Sequence, residues 1–96
     1  LAHLEVDGVR ERVGNLWFGE RLVSIGLSYW QTGNKGEGIK LTKLGVRWIE
    51  ESVDKNGTAR QNLKIPYSNL AVMYKALGDT SLAEKITKQA EAIIIK

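Results

Sequence analysis

The residue types that carry most protein chemistry are sparse in this chain and badly placed for it. His3 is the single histidine, and no other residue stands at a spacing that would complete a metal site with it. The carboxylates Asp7, Glu11, Glu50, Glu51, Asp54 and Glu84 fall on or near polar faces of predicted helices. No two of them are marked as a buried acid–base couple. There is no cysteine, which removes thiolate metal ligands and disulfides together. The run GNKGEG (Gly33–Gly38) has the glycines of a phosphate cradle but lacks the preceding strand that such a cradle needs. It reads as a turn followed by a small packing residue. The expectation is a non-catalytic chain with no cofactor and no metal.

Bulk properties narrow the choice further. At 96 residues the chain is one small domain with a modest core. Its apolar runs are too short to span a bilayer, and no leader pattern opens it. With the lack of cysteine, this gives an expectation of a cytoplasmic protein without membrane insertion. The chain does not begin with Met, which fits a processed chain or a piece of a longer one. The net charge of +3 is spread evenly: residues 1–48 hold seven basic and five acidic side chains, residues 49–96 seven and six. No basic stripe of the kind that nucleic-acid binding needs is present.

Hydrophobic periodicity places four helices. Residues 1–8 show little of it and read as a tail. A long helix follows over Val9–Thr32, with Phe18, Leu22, Ile25, Gly26 and Tyr29 as its apolar stripe. Gly33-Asn34 ends it, and a second helix runs from Lys35 to Asp54 with Ile39, Leu41, Leu44, Trp48 and Ile49 as apolar positions. Asn56-Gly57 signals a turn and Thr58 an N-cap. A third helix, Thr58–Leu77, contains Pro66, which is at home only in a first turn or at a kink. Gly78-Asp79 then separates it from a fourth helix with Ala83, Ile86, Thr87, Ala90 and Ile93 on one face. Turns this short make each helix pair antiparallel: a first hairpin over residues 9–54 and a second over 58–95.

The two hairpins resemble one another. Sliding the chain by 45 residues pairs Tyr29 with Tyr74, Gly33 with Gly78, Ile25 with Leu70 and Leu41 with Ile86. Gly14, Gly26, Gly38 and Gly45 fall on Ala59, Ala71, Ala83 and Ala90, so small residues meet small ones where helices should touch. The pattern predicts a duplicated hairpin. It also favours a longer third helix kinked at Pro66 over one that starts there.

Tyr67, Leu70, Ala71, Tyr74, Gly78, Asp79, Ala83 and Ala90 together resemble the tetratricopeptide repeat. Thr87 departs from that pattern, which has an aromatic there, and no proline follows the second helix. The 45-residue spacing exceeds the usual length of about 34; it is similar to the long repeats of kinesin light chains. The resemblance implies an all-α fold of about four helices, stacked as tandem antiparallel hairpins in a right-handed superhelix. It also implies a protein-interaction module, whose first helices line a concave groove for a partner peptide or helix. Carried over by position, the groove residues are Glu20, Val23, Ser24, Leu27, Trp30 and Gln31, then Ile65, Ser68, Asn69, Val72, Lys75 and Ala76. Asn69 matches an asparagine that holds a peptide backbone in the family. Val23 and Leu27 stand where its carboxylate clamp needs lysine and asparagine, so that clamp is not expected. Trp30 is either an anchor for the partner or a half-buried aromatic covering the turn, whereas Trp17 and Trp48 are expected to pack between helices. The alternative role is self-assembly, with hairpins stacking between subunits of a homo-oligomer.

Two expectations bear on energetics. Glycine inside a helix costs about 1 kcal/mol relative to alanine, so Gly38→Ala and Gly45→Ala are each expected to stabilise the fold by about 0.5–1 kcal/mol. Ile93, Ile94 and Ile95 are too many consecutive apolar residues for one helix face to bury. They are expected to form an exposed patch through which the chain self-associates.

Overall fold

The computed structural model describes the backbone of residues 2–93 and the side chains of residues 15–93. Four helices follow in order: α1 (Ala2–Gln31), α2 (Lys35–Asn56), α3 (Lys64–Ala76) and α4 (Thr80–Glu91), with a 3-10 turn at Arg60–Leu63 before α3. No strand occurs among the described residues, and the fold is all-α. The molecule is a flat slab of 44 × 33 × 18 Å. A helix of 30 residues is about 45 Å long, so α1 alone sets the longest dimension. It begins at Ala2, and the stretch read from the sequence as a tail continues the helix. That stretch contains no proline and no capping signal to stop it. His3, Asp7 and Glu11 lie outside the described side chains.

The turns within the two hairpins, 45 residues apart, close by the same bonds. Asn34 N–H donates to the Tyr29 carbonyl and Asp79 N–H to the Tyr74 carbonyl, both at 2.9 Å. Gly33 and Gly78 sit at φ 96° and 88°, a left-handed conformation that a side chain would strain. Asn34 and Asp79 then cap the next helix, accepting from the N–H of Glu37 at 3.3 Å and of Leu82 at 3.2 Å. The second turn therefore has Asp79 as its cap.

The helix pairs differ in how they pack. In the first hairpin the backbones themselves touch. A methyl group on Gly19 would lie 2.7 Å from the Gly45 carbonyl oxygen, and one on Gly45 would lie 2.6 Å from that of Gly19. Gly26 and Gly38 face each other in the same way, at 2.7 and 2.9 Å. Each glycine Cα thus rests against the facing helix's carbonyl, an approach that only hydrogen allows and that favours weak Cα–H···O contacts. This face also takes up small polar residues. Thr42 and Ser52 are fully buried, with the Thr42 hydroxyl donating to the Gly38 carbonyl at 2.8 Å and the Ser52 hydroxyl bonded to that of Thr58. Thr58 is therefore a partner for Ser52, and the 3-10 turn begins from Ala59 without a side-chain cap.

The glycine contact sets the rotation of α1, and the expected stripe is wrong for that reason. Val23 faces inward with Gly19 and Gly26, while Ile25 and Tyr29 are exposed. On α2 the buried stripe is Gly38, Thr42, Gly45, Val46, Ile49 and Ser52; Leu44, expected to be apolar core, is exposed. Trp17 is exposed too, edge-on to Phe18 with Arg21 over its ring, so it does not pack between helices. Trp48 is half-buried and meets Phe18 at 6.0 Å.

The second hairpin seats on the first by side-chain packing. Leu63, Tyr67, Leu70, Ala90 and Ile93 join Val23, Val46 and Ile49 in one cluster, with Leu16, Ile39, Val53, Tyr74 and Ile86 packed against it. Lys64 reaches across to the Ala90 carbonyl at 3.0 Å, which closes the end of α4. The third helix is shorter than the sequence comparison favours. Pro66 is its third residue, where the missing N–H has no intrahelical partner to lose. The chain before it tightens into a 3-10 turn instead of continuing as a kinked helix. Ala59, paired with Gly14 in the sequence comparison, is exposed in that connection and touches no helix as a spacer. Ile93 is buried in the core, so it is not part of an exposed C-terminal patch. Ile94 and Ile95 lie outside the described residues.

These contacts reverse the glycine expectation. Gly26→Ala, Gly38→Ala and Gly45→Ala should each destabilise, by about 1–3 kcal/mol, as overpacking does. Gly36 has open space around it, and Gly36→Ala should stabilise by about 0.5–1 kcal/mol. Urea midpoints of the four variants check both signs.

Candidate functional site

A groove with residues from both hairpins runs between α1 and α3, with a volume of about 550 Å³. On one wall stand Glu20, Val23, Ser24 and Leu27; on the other, Gln61, Asn62, Ile65, Pro66 and Asn69. The glycine-set rotation of α1 presents Glu20, Ser24 and Leu27 to this side. Pro66 starts α3 here, so Ile65 and Asn69, one helical turn apart, face the same opening. Ile65 is 72% exposed, and Val23 at 7% forms the apolar floor. The Asn62 side chain is held by a bond to the Ala59 carbonyl at 3.0 Å. Asn69 is half-buried, and its carboxamide makes no hydrogen bond among the described residues.

Of the groove positions expected from sequence, the structure brings together Glu20, Val23, Ser24, Leu27, Ile65 and Asn69. Val23 is more than a groove residue, because it also packs against Gly45 in the core. Trp30, Val72 and Lys75 are not in the groove. Trp30 lies eleven residues after Gly19, which turns it toward α2. Its backbone and Cβ abut Gly38, and Lys35 Nζ sits 5.4 Å from its ring centroid. It is the half-buried aromatic covering the turn. Val72 is 63% exposed, a turn beyond the groove. Lys75 lines a separate hollow with Thr80, Glu84 and Thr87 of α4. Gln31, Ser68 and Ala76 are exposed and line no part of the groove. Gln61, Asn62 and Pro66 were missed in the sequence, since the 3-10 turn that delivers the first two and the start of α3 that delivers Pro66 are set by proline placement and not by periodicity.

Set against known family models, curated proteins and solved structures, the chain matches none. Its site must therefore be read from its own chemistry.

Among the described residues no group of three histidine, cysteine, aspartate or glutamate side chains could hold a metal ion. No helix of the described residues is long and apolar enough to cross a membrane. One titratable group is clearly perturbed. Burial, then its bond to Glu50, pushes the Tyr67 hydroxyl well above its ordinary pKa of 10.0. That hydroxyl donates to Glu50 Oε2 at 2.7 Å and ties α3 to α2. It lies in a hollow with Asp54 and Arg60, away from the groove, and its role is structural.

A bond of this type to a charged group contributes about 1.5–3 kcal/mol. The folded pKa is raised, so its stabilisation is complete below about pH 10 and falls as pH rises through the higher folded value. Tyr67→Phe should lower stability at neutral pH by about 1–2 kcal/mol. It should also remove the part of the loss in Tm above about pH 10 that this tyrosine causes. Thermal melts of both proteins from neutral to alkaline pH test this.

Proposed function

We propose that the chain is a non-catalytic protein-interaction module that holds an extended partner peptide between α1 and α3. The reading keeps the tetratricopeptide resemblance of residues 67–90 and its right-handed superhelical stacking of hairpins. The observation that carries it is the Asn69 carboxamide, without a hydrogen bond among the described residues, on the groove wall between the apolar side chains of Ile65 and Leu27. A carboxamide offers two donors and an acceptor, and so complements the N–H and C=O of one peptide unit. Leu27, Ile65 and the Val23 floor supply apolar anchors on either side, the usual division between orientation and affinity in such sites. The lack of cysteine fits a reducing compartment, and the cytoplasm is the proposed location. A second role in self-assembly is favoured by a different observation, the exposure of Trp17, Ile25 and Tyr29 on α1 and of Leu44 on α2.

The test is a displayed peptide library panned against the full chain, with affinities of the selected peptides measured on variants. Asn69→Ala and Ile65→Glu should each weaken binding by about tenfold or more, equivalent to about 1.4 kcal/mol. Val72→Glu, outside the groove, should leave it unchanged. Peptides that bind both groove variants as tightly as the wild type would contradict the assignment.

A further inference from the structure

The groove between α1 and α3 is uneven in charge. Among the described residues nine line it, and Glu20 alone of them carries a formal charge. The chain as a whole leans the other way, with fourteen Lys and Arg against eleven Asp and Glu. The cations nearest in sequence are engaged elsewhere. Arg21 lies over the Trp17 ring, 5.6 Å from its centroid. Arg60 belongs to the hollow with Glu50 and Asp54, and Lys64 donates to the Ala90 carbonyl at 3.0 Å. No described residue forms an ion pair with Glu20. Its helical neighbours three and four residues away, Leu16, Trp17, Val23 and Ser24, carry no charge to balance it.

The opposite wall adds an acceptor of the same kind. The Ala59 carbonyl can only accept, so the bond that holds Asn62 uses an amide N–H and leaves the amide oxygen able to accept from a ligand. A carboxylate and an amide oxygen lining one groove complement a side chain that carries positive charge and several donors. The Val23 floor suits the aliphatic stem of such a side chain. Spacing sets a second requirement. Glu20 and Leu27 stand seven residues apart on α1, about 10.5 Å along its axis. An extended peptide advances about 3.3 Å per residue, so the residues that meet these two positions are about three apart in the peptide.

We infer that the partner of this groove is a basic peptide, an extended segment with an arginine or lysine at Glu20 and an apolar residue about three positions away at Leu27. This rests on the reading of the groove as a peptide site, and it adds the sign of the charge that the peptide carries. The overall field of the molecule would select the opposite, since a chain of net charge +3 draws acidic peptides. Preference for a basic peptide is therefore the local work of Glu20.

The test pans a displayed library of random peptides against the full chain. Selected peptides that lose about tenfold or more in affinity on Asn69→Ala and on Ile65→Glu are groove binders. They should carry an arginine or lysine about three positions from an apolar residue. Glu20 is exposed, so its variants should keep the helical circular dichroism of the wild type. Glu20→Gln should weaken the groove binders about two- to fivefold, as loss of an exposed ion pair does, and Glu20→Lys should weaken them further. Glu84→Gln, on α4, should leave them unchanged. Replacing the peptide's basic residue by glutamate should restore binding to the Glu20→Lys variant. Added sodium chloride should weaken the wild-type complex and not the Glu20→Gln complex. Groove binders without a basic residue, or basic ones held equally well by Glu20→Gln, overturn the inference and leave the groove as a peptide site. A library that yields only peptides insensitive to Asn69→Ala and Ile65→Glu, acidic ones included, or no binder at all, overturns both.

Discussion

Backbone contact between two helices is the constraint on which this structure depends. Gly19 and Gly26 on α1 meet Gly45 and Gly38 on α2 with no side chain between them. Each helix thereby presents carbonyl oxygens to the other's Cα hydrogens. A contact of this kind has little rotational tolerance, because turning either helix by one residue position brings a side chain into the seam. The hydrophobic effect alone would have turned Phe18, Ile25 and Tyr29 inward. The glycine seam turns them out, brings Val23 in, and buries Thr42 and Ser52, small enough to fit and satisfied by local bonds.

That rotation supplies the molecule with two different surfaces. On one side of the seam, Val23, Val46 and Ile49 receive the second hairpin, and Glu20, Ser24 and Leu27 become a groove wall opposite α3. On the other, an aromatic and aliphatic face stays uncovered. The second hairpin packs by more ordinary means, with alanines as spacers between α3 and α4 and larger side chains toward the first hairpin. The bond from Tyr67 to Glu50 ties it to α2, and the bond from Lys64 to the Ala90 carbonyl joins the start of α3 to the end of α4. Among the described residues the second hairpin exposes Ile65, Val72, Leu77 and Leu82, where the first exposes Trp17, Ile25, Tyr29 and Leu44, so the two hairpins are alike in turn geometry and differ in where their exposed apolar residues stand.

Much of this was legible in the sequence, and the failures share a cause. Helix number and both hairpin turns follow from local signals that tertiary packing does not override. So do the buried positions Tyr67, Leu70, Ala71, Ala83 and Ala90, where the hairpin is built by periodic apolar residues. The first hairpin resists the same reading because hydrophobic periodicity weighs large side chains and its organising residues have none. Gly38 and Gly45 were correctly placed at a helix contact but read as weakened alanines, when the contact is too close for alanine. Half of the expected groove positions line one groove, since position along α1 and α3 is a matter of periodicity. Trp30, which the sequence left open between partner anchor and turn cover, and Lys75 stand outside this groove because the hairpin turns draw them toward α2 and α4. Pro66 was the remaining ambiguity, settled by where the 3-10 turn leaves α3 to begin.

The most direct test of the glycine seam is a nuclear Overhauser spectrum of the folded chain with assigned glycine Hα resonances. The seam places Gly19 Hα against Gly45 Hα and Gly26 Hα against Gly38 Hα, so strong interhelical cross-peaks are expected for both pairs. Their absence, with cross-peaks from the Ile25 and Tyr29 side chains to the backbone of α2 in their place, would mean that large side chains separate the helices and would contradict the account.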